Sequence, residues 1–252
     1  MTQTTNQPVI LGEVVRTDKA DPKDDILSRI MSKVSKPQTA STKLKVLIYG
    51  EPGTGKTTLA AGAPSPFIID VERGTKTLRD KDVDVLEFVS VEQVEATINY
   101  LKVGNDAFDK YETIVFDSLS EMQRRLLDAQ LTRLSKETGV PQYKADWDIW
   151  GVNTQRLRSL MSAFRDIDKN LIVTAQAKQD KDDTTGIIGW RPDLTPKLAA
   201  TVAGLFDVVG YLRINSQGDR VLQVQPSKTV LAKTRIVLPK EIMNPTWDAI
   251  DK

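Results

Sequence analysis

Residues 45–58 read Lys-Val-Leu-Ile-Tyr followed by Gly50-Glu51-Pro52-Gly53-Thr54-Gly55-Lys56-Thr57-Thr58. A short, largely apolar run enters a glycine-rich loop, and Leu59, Ala60 and Ala61 continue as helix formers. Gly50, Gly55, Lys56 and Thr57 satisfy the spacing G-x-x-x-x-G-K-[ST]. A loop that wraps an anion must turn its backbone N–H groups inward, and glycine permits the φ values this takes. The N-terminus of the following helix adds unpaired N–H groups and partial positive charge. Residues 50–58 are thus expected to cradle phosphate, with Lys56 reaching the β- and γ-phosphates and the Thr57 hydroxyl holding Mg²⁺. The plain alternative is a Gly/Pro turn between a strand and a helix.

Composition narrows the chemistry further. Cys and His are both absent from the 252 residues, which removes disulfides, Cys/His zinc sites, thiol nucleophiles and histidine acid–base catalysis. Catalysis in such a chain rests on carboxylates, Lys, Arg, hydroxyls, amides or a bound metal. The 40% hydrophobic and 27% charged residues are those of an ordinary soluble protein, long enough for one large domain or two small ones. Lys and Arg number 35 against 34 Asp and Glu, so bulk charge gives no argument for nucleic acid and any such contact must be local. No apolar run is long enough to span a bilayer and no basic-then-apolar leader is present, so the expectation is a cytoplasmic protein with no membrane partner.

Residues 1–42 read as an N-terminal arm, an amphipathic helix and a linker. Residues 8–15 suit a short strand or extended arm. Ile26, Leu27, Ile30, Met31 and Val34 fall on one helical face, suited to the chain's own core or to a neighbouring subunit. Residues 35–42 are linker-like, and an ATPase-like domain spans 43–252. Strands are expected at 66–72, 83–89, 113–116, 171–176, 207–214, 220–225 and 234–238. Helices are expected from 56, around 91–101, over 119–134, up to about 167 and over 196–205, with loops at 136–150 and 177–191. The fold class is α/β: a mainly parallel central sheet flanked by helices, with antiparallel strands added at the C-terminal edge.

In such a sheet ligands bind at the carboxyl ends of the strands. Asp117 ends one strand and is placed to hold Mg²⁺ with Thr57; as an alternative it caps the next helix. Glu72 ends another and is placed to deprotonate or orient an attacking water, or is a solvated turn acid. Gln176 can sense the γ-phosphate through its amide, or satisfies a strand end.

Taken in order, GEPGTGKTT (50–58), IIDVE (68–72), IVFDS (114–118) and VTAQ (173–176) resemble the RecA family of recombinase ATPases, hence a RecA-like P-loop NTPase core. FIIDVERGTKTL (67–78) and FDVVGYL (206–212) resemble phage RecA-like nucleotide-binding proteins used in single-strand annealing. The resemblance covers about residues 44–240. It implies ATP and Mg²⁺ as cofactors, Asp117 as the Walker B acid, Glu72 as the catalytic glutamate and Gln176 as the nucleotide sensor. It also implies single-stranded DNA as partner, held by the loop at 177–191 (Lys178, Lys181, Trp190, Arg191) and by the loop at 136–150 (Tyr143, Lys144, Trp147, Trp150). Aromatics among cations suit base stacking and phosphate neutralisation, although Asp180, Asp182 and Asp183 offset the charge of the former loop and Asp146 and Asp148 that of the latter.

Lys233-Thr234-Arg235 resembles the K-x-R pair that RecA-like and DnaB-like ATPases extend into a neighbour's nucleotide, which implies a homo-oligomer, ring or filament. A solvated strand edge is the alternative. The resemblance further implies a single-strand-binding protein as a candidate partner, and action in a bacterial host's cytoplasm. The resulting expectation is a slow, assembly- or DNA-dependent ATPase that promotes annealing or strand pairing. A hexameric helicase or loader motor, and a non-hydrolysing ATP-dependent switch, are the rival readings.

Overall fold

Runs rich in β-branched and aromatic residues become strands because such side chains pack well on a pleated surface, and runs apolar at every position need cover on both faces. In a computed structural model, residues 22–32, 34, 42–88, 90–140, 144–181 and 186–251 are described. The arm expected at 8–15 and nearly all of the linker lie outside them. The chain divides into two units, Met1–Thr42 and Lys43–Lys252. In the first, helix α1 (Pro22–Met31) carries Ile26, Leu27, Ile30 and Met31, which with Val34 are 56–66% exposed.

The second unit runs β1 (Lys45–Gly50), α2 (Lys56–Ala60), β2 (Pro66–Asp70), β3 (Asp84–Glu87), α3 (Val91–Val103), α4 (Asp106–Asp109), β4 (Thr113–Asp117), α5 (Leu119–Thr138) and α6 (Trp147–Arg165). It continues through β5 (Asn170–Lys181), β6 (Ile188–Pro192), α7 (Pro196–Ala203), β7 (Val208–Ile214), β8 (Arg220–Gln223), β9 (Lys233–Thr234), β10 (Glu241–Met243) and α8 (Trp247–Ile250). Sheet order is β10-β8-β7-β1-β5-β4-β2-β3. The six strands from β7 to β3 are mutually parallel, whereas β8, β9 and β10 add antiparallel at the C-terminal edge. This is the α/β architecture expected.

Alternation along each strand sends side chains to two separate cores. Leu47 and Tyr49 face one layer, built with Ile114, Phe116, Val173 and the inner faces of α3, α5, α6 and α7. Val46 and Ile48 face the other, built with Ile68, Val115, Ile172, Leu59 of α2 and Trp247 of α8. Register then decides where the site falls. Gly50 pairs with Gln176 on one side and Leu212 on the other, and Asp70 pairs with Asp117. The carboxyl ends of β1, β5, β4 and β2 therefore finish at one rim.

Helix α2 is short and stops before Pro64, as expected; it ends at Ala60, so its macrodipole is only five residues long. Several boundaries differ from expectation. The expected strand at 234–238 shrinks to two residues, because Thr234 Oγ1 bonds both Ile236 O (2.7 Å) and Ile236 N (3.2 Å) and turns the backbone out of the ladder. Strand β10 and helix α8 were not expected.

Tyr49, Tyr211 and Trp190 stack in series, with centroids 5.2 and 5.4 Å apart. The Tyr211 phenol is pushed up to about 12, by burial first and then by the charge of Glu51. A folded-state pKa above the unfolded value of about 10 means the unfolded chain loses its proton first. That stabilisation is complete below pH ~10 and is lost as pH rises towards 12. Tyr211→Phe is accordingly expected to flatten the decline in denaturation midpoint over that window relative to the parent chain.

Candidate functional site

Two glycines shape the loop for different reasons. Gly55 has φ +96°, in the left-handed region that side chains resist. At Gly50 a Cβ would lie 2.3 Å from the Leu212 carbonyl oxygen, so only glycine lets β7 approach. The loop then turns Lys56 inward, where it is only 6% exposed. Its ammonium donates to Gly50 O (2.9 Å), Glu51 O (3.0 Å) and Gln176 Oε1 (3.3 Å), which uses all three protons. No carboxylate lies within ion-pair distance of it among the described residues. Burial pushes its pKa down, while the charges of Glu72 and Asp117 pull it back up. A buried cation held only by carbonyl and amide oxygens is matched by an incoming anion.

Thr57 Oγ1 donates to Asp117 Oδ2 at 2.7 Å, and Thr174 Oγ1 donates to Asp117 Oδ1. Asp117 is 2% exposed, and burial raises its pKa against the opposing pull of these two hydroxyls. One hydroxyl and one carboxylate on adjoining elements form the partial oxygen set that Mg²⁺ completes with phosphate oxygens and water. Among the described residues no cluster of three carboxylates could hold a metal alone. The donor set therefore fits a magnesium ion shared with a nucleotide, held by Thr57 and Asp117.

Glu72 and Gln176 meet on the open side. Gln176 Nε2 donates to both Glu72 oxygens (2.9 and 3.2 Å), and Ser118 Oγ donates to Glu72 Oε1. Gln176 also stands between two ladders: its pairing with Gly50 closes the central sheet, and the next residue, Ala177, opens a hairpin by pairing with Pro192. Its backbone N meets Ser120 Oγ at 3.0 Å and its carbonyl meets Asp193 N at 2.7 Å. The structure thus brings Lys56, Thr57, Glu72, Asp117 and Gln176 into one cluster behind the loop 50–58.

Asp70, Ser118 and Thr174 stand among the polar strand ends legible in the sequence, without a ligand role read for them, and Ser120 and Arg220 were not singled out. Asp70 accepts from Gly74 N (3.1 Å), Thr75 N (3.2 Å) and Thr75 Oγ1 (2.8 Å), and so fixes the turn that follows Glu72. Thr174 was legible in principle, since period-two alternation puts it on the face of Gln176.

The two expected DNA loops are corrected. Within the loop expected at 177–191, residues 177–181 of β5 pair antiparallel with β6, Lys178 opposite Arg191 and Gln179 opposite Trp190. Ile187, Ile188 and Trp190 are of strand-prone types. Lys178 donates to Leu194 O (2.7 Å), Arg191 sits 3.8 Å from Asp180, and Trp190 is stacked on Tyr211. Lys181 is exposed near the tip; Asp182 and Asp183 lie outside the described residues. Of the loop expected at 136–150, residues 136–138 belong to α5 and 147–150 to α6. Gly139, at φ +70°, ends α5, and the Asp146 carboxylate caps α6 through Ile149 N (2.9 Å). Trp147 and Trp150 are therefore first-turn helix residues, Trp147 being 92% exposed and Trp150 half-buried. Lys144 is exposed, and Tyr143 lies outside the described residues.

Lys233 and Arg235 stand apart from the cluster. β9 pairs with the start of β7, at the rim opposite the loop 50–58. Both cations reach the Gly204 carbonyl (3.3 and 2.9 Å), and Arg235 also pairs with Asp207 at 3.1 Å.

A family model described as an AAA domain matches residues 42–236. No curated protein matches the chain. No helix among the described residues is long and apolar enough to cross a membrane.

Gly50→Ala is expected to cost about 1–3 kcal/mol of unfolding free energy, because backbone rather than a movable side chain blocks the new methyl group. Urea denaturation of the two proteins measures it.

Proposed function

The chain belongs to the AAA-domain family of P-loop NTPases, and on that premise we propose that it is a magnesium-dependent ATPase that assembles on single-stranded DNA and promotes annealing or strand pairing. The buried Lys56 ammonium without a carboxylate partner, beside the Thr57–Asp117 pair, is the observation that carries the nucleotide reading. Magnesium held there would neutralise phosphate charge. In the chemistry proposed, a water oxygen bonds to the γ-phosphorus while the bond from phosphorus to the β–γ bridging oxygen breaks. The water's proton passes to Glu72, and ADP departs with the bridging oxygen. Lys56 and the loop amides stabilise the charge that develops. An arriving phosphate competes with Gln176 for Lys56, which frees the Gln176 amide to report occupancy to the hairpin it begins.

Support for single-stranded DNA comes from the α6–α7 surface more than from the hairpin. Trp147 and Trp150 line a groove of about 540 Å³ with Gln155, Arg158, Thr195 and Lys197. Exposed indole beside two cations suits base stacking with phosphate neutralisation. Thr195 lies two residues from Asp193, whose amide holds the Gln176 carbonyl, so groove and nucleotide cluster share a connection. Lys233 and Arg235, at the opposite rim, are the candidate groups for a neighbour's nucleotide in a ring or filament.

Three variants test this reading. Lys56→Ala is expected to abolish saturable uptake of fluorescent ATP, and Glu72→Gln to retain uptake while lowering turnover by about 10²-fold or more. Unchanged turnover in Glu72→Gln would favour the switch reading. Trp147→Ala is expected to weaken binding of an oligothymidine about 10-fold in fluorescence anisotropy. Directional unwinding without annealing would point instead to a motor.

A further inference from the structure

Arg220 opens β8, outside the cluster described above, yet its side chain returns to the phosphate loop. Its Nε donates to the Thr54 carbonyl at 3.1 Å. Gly55 makes room for it, since a Cβ there would lie 2.7 Å from that same nitrogen. The backbone of Arg220 is held on both sides by Asn244. Arg220 N donates to Asn244 Oδ1 (3.1 Å), and Asn244 N donates to Arg220 O (2.6 Å). The Asn244 amide donates in turn to Asp219 Oδ1 at 3.2 Å. Asn244 adopts φ +44°, a left-handed value that Asn tolerates better than most residues. The C-terminal edge of the sheet thus presents a guanidinium at a fixed height against the loop.

The peptide geometry gives this contact a consequence. In a trans peptide the carbonyl and the N–H point in opposite directions. Drawing the Thr54 carbonyl outward to Arg220 therefore turns the Gly55 N–H to the opposite side, into the concavity that the loop makes for an anion. Glycine populates both signs of φ, so Gly55 by itself does not choose between this orientation and its flipped alternative, and the buried Thr54 spends its hydroxyl on the Glu51 carbonyl (2.9 Å) rather than on this peptide. A charge-assisted hydrogen bond from outside supplies that choice.

We propose that Arg220 is a positioning residue for the phosphate loop: it fixes the Thr54–Gly55 peptide so that the Gly55 N–H faces a bound nucleotide's phosphates. The proposal rests on the nucleotide reading above. Arg220 does not touch the reacting atoms in this arrangement, so it acts on affinity and leaves the hydrolytic step to Glu72 and Lys56. It also makes nucleotide affinity depend on strands added after the parallel core. Arg220 is exposed, so removing its side chain costs little packing.

The test compares the parent protein with Arg220→Met, Arg220→Lys and Lys56→Ala, measuring fluorescent-ATP affinity, steady-state ATPase activity and apo melting temperature. Arg220→Met is expected to raise Kd and KM about 10-fold or more while kcat moves less than about 2-fold. Arg220→Lys, which keeps a cationic donor, is expected to recover part of the affinity. Equal Kd in the parent and Arg220→Met overturns the proposal. So does a fall in melting temperature that accounts for the whole effect, with the folded fraction of Arg220→Met binding at parental affinity. Absence of ATP uptake by the parent protein itself defeats the nucleotide reading instead, and the two failures are therefore distinct.

Discussion

Parallel pairing of β1 with β5 and β7 at once is the constraint on which the site depends. It buries the strand on both edges and both faces, with Val46, Leu47, Ile48 and Tyr49 at most 1% exposed. A strand so enclosed has one register, because a slip of one residue would exchange its two cores. The register ends at Gly50, and the chain can leave the sheet there only by passing the Leu212 carbonyl at a distance no side chain permits. The glycine-rich loop, the Gln176 amide and Asp117 converge because these parallel strands end together.

The cluster is electrostatically incomplete as a protein-only object. A buried ammonium spends its protons on carbonyl and amide oxygens, and a buried carboxylate is held by two hydroxyls with its pKa raised. Burying opposite charges without joining them costs free energy that better-packed apolar residues would not. A polyanion against Lys56 and a divalent cation against Asp117 satisfy both, which is why this arrangement suits a metal–nucleotide complex better than either component alone.

Two chains of contact run outward from the cluster, one from Gln176 and one from Tyr49 beside it in the sheet. Gln176 immediately precedes the hairpin, and its side chain touches both Lys56 and Glu72. Tyr49, just before the loop, stacks on Tyr211, which stacks on Trp190 in the hairpin, and the Tyr49 hydroxyl bonds Trp190 O and Leu231 O. Packed aromatic series transmit small displacements because close-packed interiors deform little.

Local chemistry in the sequence determined the glycine-rich loop, the strand-ending acids and the α/β class, because glycine spacing, apolar runs and polar strand ends are near-neighbour signals. It also located Lys56, Thr57, Glu72, Asp117 and Gln176, each read from the strand or loop that carries it. Tertiary structure alone decided that the polar residues 177–181 extend β5 and pair with β6, since a polar strand declares itself only through a partner. It decided that Trp190 is half-buried against Tyr211 while Trp147 stands in solvent, a contrast invisible in two tryptophans that both sit among charged residues. It decided, too, that Arg220 lies against Thr54: 166 positions separate them, and only sheet order, which depends on how the whole chain buries its apolar faces, brings them together.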